Sequence, residues 1–447
     1  MEALENILTQ ISDLLWGYPL IILLFGTHVF LTFRLKIIQR FIGKAIKISL
    51  GRSKEGSGDI SQFGALTTAL AATIGTGNIV GVSTAIAAGG PGAVLWMWLT
   101  GVFGISTKYS EALLAVKYRV KMPDGTMAGG PMYVLERGLN MKWLAVLFAA
   151  FTSVTAFGIG NMVQANSIST LVNEAFQIPM WVTGVILTTL TAVVIIGGIR
   201  SIATVCERLV PFMAITYVLG CLIILGMNIN GIPDTIMLIF NSAFSGHAVV
   251  GGFVGAGMKE AIRFGIARGL FSNESGLGSA PIVAAAAQTK NPVRQALVSS
   301  TGTFWDTVVV CAITGLVIVN SGEWMRGFSG AALTKQAFSD FHIIGPIVLT
   351  LGLLTFVFST ILGWSYYGEK AAEYLFGNKV VKPYRYLWVI FVMIGSVMSL
   401  NVVWTFADIT NALMALPNLV SLLLLSGVIV KETRKYLWEG NLDEEGE

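Results

Sequence analysis

Two short runs of glycine and small polar residues, Ile74-Gly75-Thr76-Gly77-Asn78 and Phe271-Ser272-Asn273-Glu274-Ser275-Gly276-Leu277-Gly278, interrupt long apolar stretches. The chemistry they offer is that of exposed main chain. A helix broken inside a bilayer leaves N–H and C=O groups unpaired, at several kcal/mol each, unless protein, water or a ligand satisfies them. At the first break, free N–H groups of Thr76, Gly77 and Asn78 present the positive end of a helix dipole worth roughly half a charge, which suits a carboxylate. Carbonyls from Ala71 to Ile74 suit a cation, and Gly75 and Gly77 lack the Cβ that would hold a ligand off the backbone. Asn78 or Thr76 can cap the second half-helix. The second break adds an ionisable side chain, Glu274. An acid at the centre of a membrane helix costs about 2.5–3.5 kcal/mol, so it pairs, binds an ion, relays a proton or holds the unwound backbone open. The same readings apply to Asp306 and Glu111, which also fall within apolar runs.

Such breaks need membrane-spanning elements around them. Of 447 residues, 54% are hydrophobic and 12% charged, with mean hydropathy +0.73, the composition of a multi-pass membrane protein. A span needs about 20 apolar residues. That template predicts eleven, near 14–34, 64–87, 91–116, 143–172, 179–198, 209–228, 252–287, 297–319, 345–375, 386–403 and 408–430. Lys and Arg gather in cytoplasmic loops. Arg34, Lys36, Arg40, Lys44, Lys47, Arg52 and Lys54 follow the first span, and Lys117, Arg119, Lys121, Arg137 and Lys142 the third, whereas 89–92, 173–179 and 228–234 are poor in them. The alternation predicts an outside N-terminus and a cytoplasmic C-terminus. Lys259, Arg263 and Arg268, with Glu260, depart from it and read as an amphipathic entry helix to the seventh span. This sorting accounts for the net charge of +4 without a nucleic-acid partner. Cys206, Cys221 and Cys311 are too dispersed for metal pairs or a disulfide framework. The acidic start, Met1-Glu2-Ala3-Leu4-Glu5, lacks the features of a signal peptide, so the first span is expected to remain.

Residues 1–60 form an N-terminal helix with its basic loop; five spans occupy 61–228, five more occupy 229–435, and an acidic tail covers 436–447. Each set of five opens with a broken segment, and an odd number per set inverts the second. Paired broken helices in inverted halves point to a secondary transporter with its substrate near the midplane. No Gly-x-x-x-x-Gly-Lys-Ser/Thr loop is present for ATP coupling. His28, His247 and His342 are too scattered for the metal chemistry of a membrane enzyme. A channel or a non-transporting receptor shares the pocket but does not concentrate substrate.

The run Arg268-Gly269-Leu270-Phe271-Ser272-Asn273-Glu274-Ser275-Gly276-Leu277-Gly278-Ser279-Ala280-Pro281, with Gly75-Thr76-Gly77-Asn78, Gly129-Gly130-Pro131-Met132-Tyr133 and Phe304-Trp305-Asp306-Thr307, resembles the alanine or glycine:cation symporters across nearly the whole chain. The resemblance implies an all-α integral membrane fold of the leucine-transporter type, one N-terminal helix plus a 5+5 inverted-repeat core with unwound first and sixth core helices. It implies import of alanine, glycine or another small neutral amino acid with sodium. A proton is the alternative ion, through Glu274 or Asp306, and no cofactor is implied beyond the co-transported ion. By the same resemblance Gly75, Thr76 and Gly77 take the substrate carboxylate, with Asn78 facing the site, and Phe271 and Ser272 lie beside its amino group. Gly276, Leu277 and Gly278 form the second unwound wall. Gln164 and Asn166 contact the ligand or bond between helices. Trp364 caps the pocket and restricts it to short side chains, or packs in the core. The sodium site maps to carbonyls of Ala71 and Ile74 with hydroxyls of Ser359 and Thr360, although such hydroxyls more commonly bond back to their own helix.

Overall fold

The computed structural model describes residues 2–51, 56–244, 257–341, 343–398 and 401–445, without the side chains of 2–5, 401 and 402. Arg52, Lys54, His247, His342, residues 399–400 of the 386–403 span and the start of the 252–287 span lie outside the described residues. The chain is almost wholly helical: α1 Asn6–Arg34, α2 Gln62–Thr73, α3 Gly77–Gly89, α4 Ala93–Lys117, α5 Lys142–Phe176, α6 Met180–Ile195, α7 Gly198–Met227, α8 Met258–Asn273, α9 Pro292–Ser321, α10 Ile344–Phe376, α11 Asn378–Val397 and α12 Asn401–Leu424. Two short strands, β1 Val120–Lys121 and β2 Met127–Ala128, pair antiparallel after α4.

Among the described residues seven helices are long and apolar enough to cross a bilayer, or eight if α2 and α3 count as one bent span. The expected eleven is not reached on those criteria. The 16-residue α6 is short, α4 carries buried Lys108 and Glu111, and the 16-residue α8 stops at the second break. Helix α7 begins at Gly198 rather than near 209, because its first turns carry Arg200, Glu207 and Arg208; a helix continues past the apolar slab that a hydropathy template detects. Lys259, Arg263 and Arg268 lie on α8 itself, the first half of the broken seventh span, with Arg263 3.9 Å from Glu260.

Packing follows a two-fold pattern. Helix α3 packs on α8, α4 on α9, α5 on α10 and α6 on α11, so the first four elements of the first set meet their counterparts in the second. Helix α1 stands outside this core, against α4 and α12. Small residues bring the backbones together: a Cβ on Gly363 of α10 would lie 2.7 Å from the Ala72 nitrogen of α2, and one on Gly101 of α4 2.8 Å from Thr307 of α9. Phe212, Ile215, Leu219, Leu222 and Ile223 on the outer face of α7 are exposed, as a lipid-facing surface requires.

Candidate functional site

The first break is built by local chemistry. Ser61 caps α2, accepting from the Gly64 N–H at 2.8 Å, and the helix ends where Ile74 turns extended. Helix α3 restarts at Gly77 with its axis bent by 54° from α2. Asn78 turns back, its Oδ1 accepting from the Gly75 N–H at 2.9 Å. A Cβ on Gly75 would lie 2.6 Å from Thr360 Oγ1, so only glycine lets the break seat against α10.

The second break begins at Glu274, not at Phe271, because α8 runs on through Asn273 and leaves Phe271 and Ser272 helical. Glu274 adopts the left-handed conformation (φ +54°), followed by Gly276 (+90°) and Gly278 (+87°), before a single helical turn resumes at Pro281–Ala284. One carboxylate of α4 satisfies the unwound chain. Glu111 Oε1 accepts from the N–H groups of Gly276 (3.0 Å) and Gly278 (3.1 Å) and from Asn418 Nδ2 of α12 (2.7 Å), and Asn418 also donates to the Gly276 carbonyl (2.9 Å). Glu111, rather than Glu274, thus accepts from the unwound main chain at Gly276 and Gly278. Glu274 accepts from the Ser279 hydroxyl and from Trp364 Nε1 at 3.1 Å.

A buried cavity of about 20 Å³ lies between the breaks. Its walls include Gly75, Thr76 and Gly77 from the first break, Phe271, Ser272 and Glu274 from the second, Gln164 of α5, Thr360 and Trp364 of α10, and Asn411 of α12. Trp364 is held on its far side by Gly160, where a Cβ would come within 2.2 Å of the tryptophan Cβ. The polar lining holds both donors and acceptors. At one side lie Thr76 and Gly77 at the start of α3, where a helix leaves N–H groups without a preceding turn, although the next N–H, of Asn78, donates to the Gly75 carbonyl at 3.3 Å. The lining also carries three acceptors, the Glu274 carboxylate and the buried amide oxygens of Gln164 and Asn411, the last two without a partner among the described residues, beside the hydroxyls of Thr73, Ser272 and Thr360 and the Trp364 indole N–H.

Several expected site residues stand elsewhere. Asn166 donates to the carbonyls of Gly395 (3.3 Å) and Met398 (2.8 Å) and lines a separate vestibule of about 380 Å³, which meets the cavity at Thr76. Gly276 and Leu277 are outside the cavity lining, the first bound to Glu111 and the second fully buried. Asn78 also lies behind the cavity. Its Nδ2 donates to Asp306 Oδ1 at 2.7 Å, while Ser272 and Thr307 donate to Oδ2 at 3.0 and 2.6 Å, so Asp306 of α9 pins both breaks. Ser359 Oγ and Thr360 Oγ1 approach the carbonyls of Ala71 (3.2 Å) and Ile74 (3.4 Å) and also bond back to Phe356. Asn411 and Asn418 are not among the residues expected from sequence, although an amide inside an apolar span carries the same signal of cost as Glu274 or Asp306.

Two discontinuous helices facing each other across paired five-helix sets define a secondary transporter of the leucine-transporter fold. The chain belongs to the sodium:alanine symporter family, whose model matches residues 1–446. It is 49% identical to the sodium/alanine symporter AgcS of Methanococcus maripaludis over 96% of this chain and 97% of that protein. It is 35% identical to the probable sodium/glutamine symporter GlnT of Bacillus subtilis over 97% of this chain and 91% of that protein. Its fold matches the crystal structure of MhsT in complex with L-phenylalanine, with a TM-score of 0.59 at 14% identity, covering 83% of this chain and 90% of that one.

Proposed function

We propose that the protein is a secondary active symporter importing alanine, glycine or another small neutral amino acid together with sodium. The observation that carries this reading is a buried cavity with the α3 N-terminus at Thr76 and Gly77 on one side and the acceptors Glu274, Gln164 and Asn411 elsewhere on its walls. That is the charge pattern of a zwitterion. The cavity's 20 Å³ is room for about one water, so the bound state needs a modest widening and favours the smallest side chains. The clamped indole of Trp364 sets that limit. Sodium coupling is supported by family membership and by spacing. Oxygens at right angles around an ion roughly 2.4 Å away lie about 3.4 Å apart, close to the hydroxyl–carbonyl separations of 3.2 and 3.4 Å at Ala71, Ile74, Ser359 and Thr360. The proton alternative rests on the buried carboxylates of Glu274 and Asp306.

In this reading the chain crosses the cell membrane eleven times, with its N-terminus outside and C-terminus inside. The halves 61–228 and 229–435 rock about the cavity, and 436–447 is a cytoplasmic tail. The vestibule then opens outward, since it is lined by Glu174 near the end of α5, away from the basic loops. Uptake of labelled alanine into vesicles holding the purified protein, with external sodium replaced by choline at fixed pH, tests the ion. Undiminished uptake would remove sodium from the mechanism.

A further inference from the structure

We infer that Arg119 is the clasp that keeps the face opposite the vestibule closed, by joining the backbone that enters the first broken helix to the backbone that leaves the second. Arg119 follows α4 and precedes β1. Its Nη1 donates to the carbonyls of Ala285 (3.0 Å) and Ala287 (2.8 Å), just beyond the Pro281–Ala284 turn, and its Nη2 donates to the carbonyl (2.8 Å) and hydroxyl (3.0 Å) of Ser57, just before α2. The two segments also pair directly. Ser57 bridges to Thr289 and Ile60 to Ala287, the Asp59 N–H donates to the Ala286 carbonyl at 2.7 Å, and the Gln288 N–H donates to the Ile60 carbonyl at 2.7 Å. The hairpin is drawn in through Asp59, whose Oδ2 accepts from the Met127 N–H at 2.8 Å.

The contact fits a gate rather than a generic staple. These segments are the far ends of the two discontinuous helices, so opening the cavity to this side must part them. A planar guanidinium reaches both at once with four donor contacts, which a lysine's single point charge cannot reproduce. The seam has no slack, because a Cβ on Gly58 would lie 2.4 Å from the Ala287 backbone. Arg119 is a positioning residue here: it touches neither substrate nor ion. The inference rests on the reading of the protein as an alternating-access transporter, but not on which substrate or ion it carries.

The test uses two reporter cysteines in the full-length protein, each labelled by a soluble maleimide against the background of the buried native cysteines. Ala280→Cys is 4% exposed on the closed side, and Ser167→Cys lines the vestibule. In Arg119→Gln the labelling rate of Ala280→Cys should rise about tenfold, the shift that follows loss of about 1.4 kcal/mol of charge-assisted contact, while that of Ser167→Cys falls. Arg119→Lys should lie between, and Gly58→Ala, which wedges the same seam, should reproduce the reciprocal change. Unchanged labelling in both Arg119→Gln and Gly58→Ala would overturn the inference. So would faster labelling at both reporters, which marks general loosening rather than a gate. Labelling needs no substrate, so it stays readable if the sodium or amino-acid assignment fails.

Discussion

Trp364 and Glu274, ninety positions apart, meet at 3.1 Å, the indole N–H donating to the carboxylate at the turn that ends α8. This contact joins the ring that closes the cavity to the acid in its wall. Removing the ring should therefore widen the pocket: Trp364→Ala is expected to let valine or leucine stabilise the protein in a thermal-shift panel. Rejection of those residues by the variant would show that the limit on size lies elsewhere.

In the unaltered protein the same panel should give stabilisation by glycine and alanine and none by leucine or tryptophan. A ligand at about 100 times its Kd adds roughly 2.7 kcal/mol to the folded state, ample to resolve. Stabilisation by bulky residues alone would rule out a pocket bounded by Trp364 and Phe271.

Two buried glutamates should separate by phenotype. Glu274→Gln keeps the shape of the cavity wall and removes its charge, so alanine affinity should fall by about tenfold or more, the worth of a charge-assisted hydrogen bond of about 1.5–3 kcal/mol. Glu111→Gln acts on the unwound backbone at Gly276 and Gly278, and should lower thermal stability while leaving the preference among amino acids unchanged. Titration calorimetry and thermal melts on both variants distinguish the roles; a swapped pattern would reverse the assignment.

For the ion, Ser359→Ala and Thr360→Ala are expected to raise the sodium concentration needed for half-maximal uptake, with the order of substrate preference unchanged. Gly75→Ala should be more severe. Its Cβ would fall 2.6 Å from Thr360 Oγ1 and push the break off α10. Flux measured against sodium concentration checks all three, and wild-type sodium dependence in the two hydroxyl variants would move the cation elsewhere.

The breaks were legible because glycines and polar residues inside an apolar run free main-chain groups that only protein, water or a ligand can satisfy at membrane depth. Gly75 and Gly276 lie in bent and unwound chain as their types demand. The partners were not legible. Glu111 and Asn418 hold the second wall from 165 and 142 positions away from Gly276, a convergence that no local pattern encodes. Gln164 and Asn166 illustrate the same limit on a smaller scale. Two residues turn a helix by roughly 200°, so one amide reaches the cavity and the other faces the vestibule. Asn78 has the residue type for ligand contact, yet its amide is consumed between Gly75 and Asp306. Its surroundings, not its sequence position, decide that.

The central claim, that donors at the α3 N-terminus and the acceptors of Glu274, Gln164 and Asn411 grip the two ends of a zwitterion, is tested most directly by competition against labelled alanine in sodium. Propionate lacks the ammonium and alaninamide lacks the carboxylate. Both should compete at least about a hundredfold more weakly than unlabelled alanine, the loss expected when about 2.7 kcal/mol of paired charge goes unmet. Alanine-like competition by either compound would contradict the account.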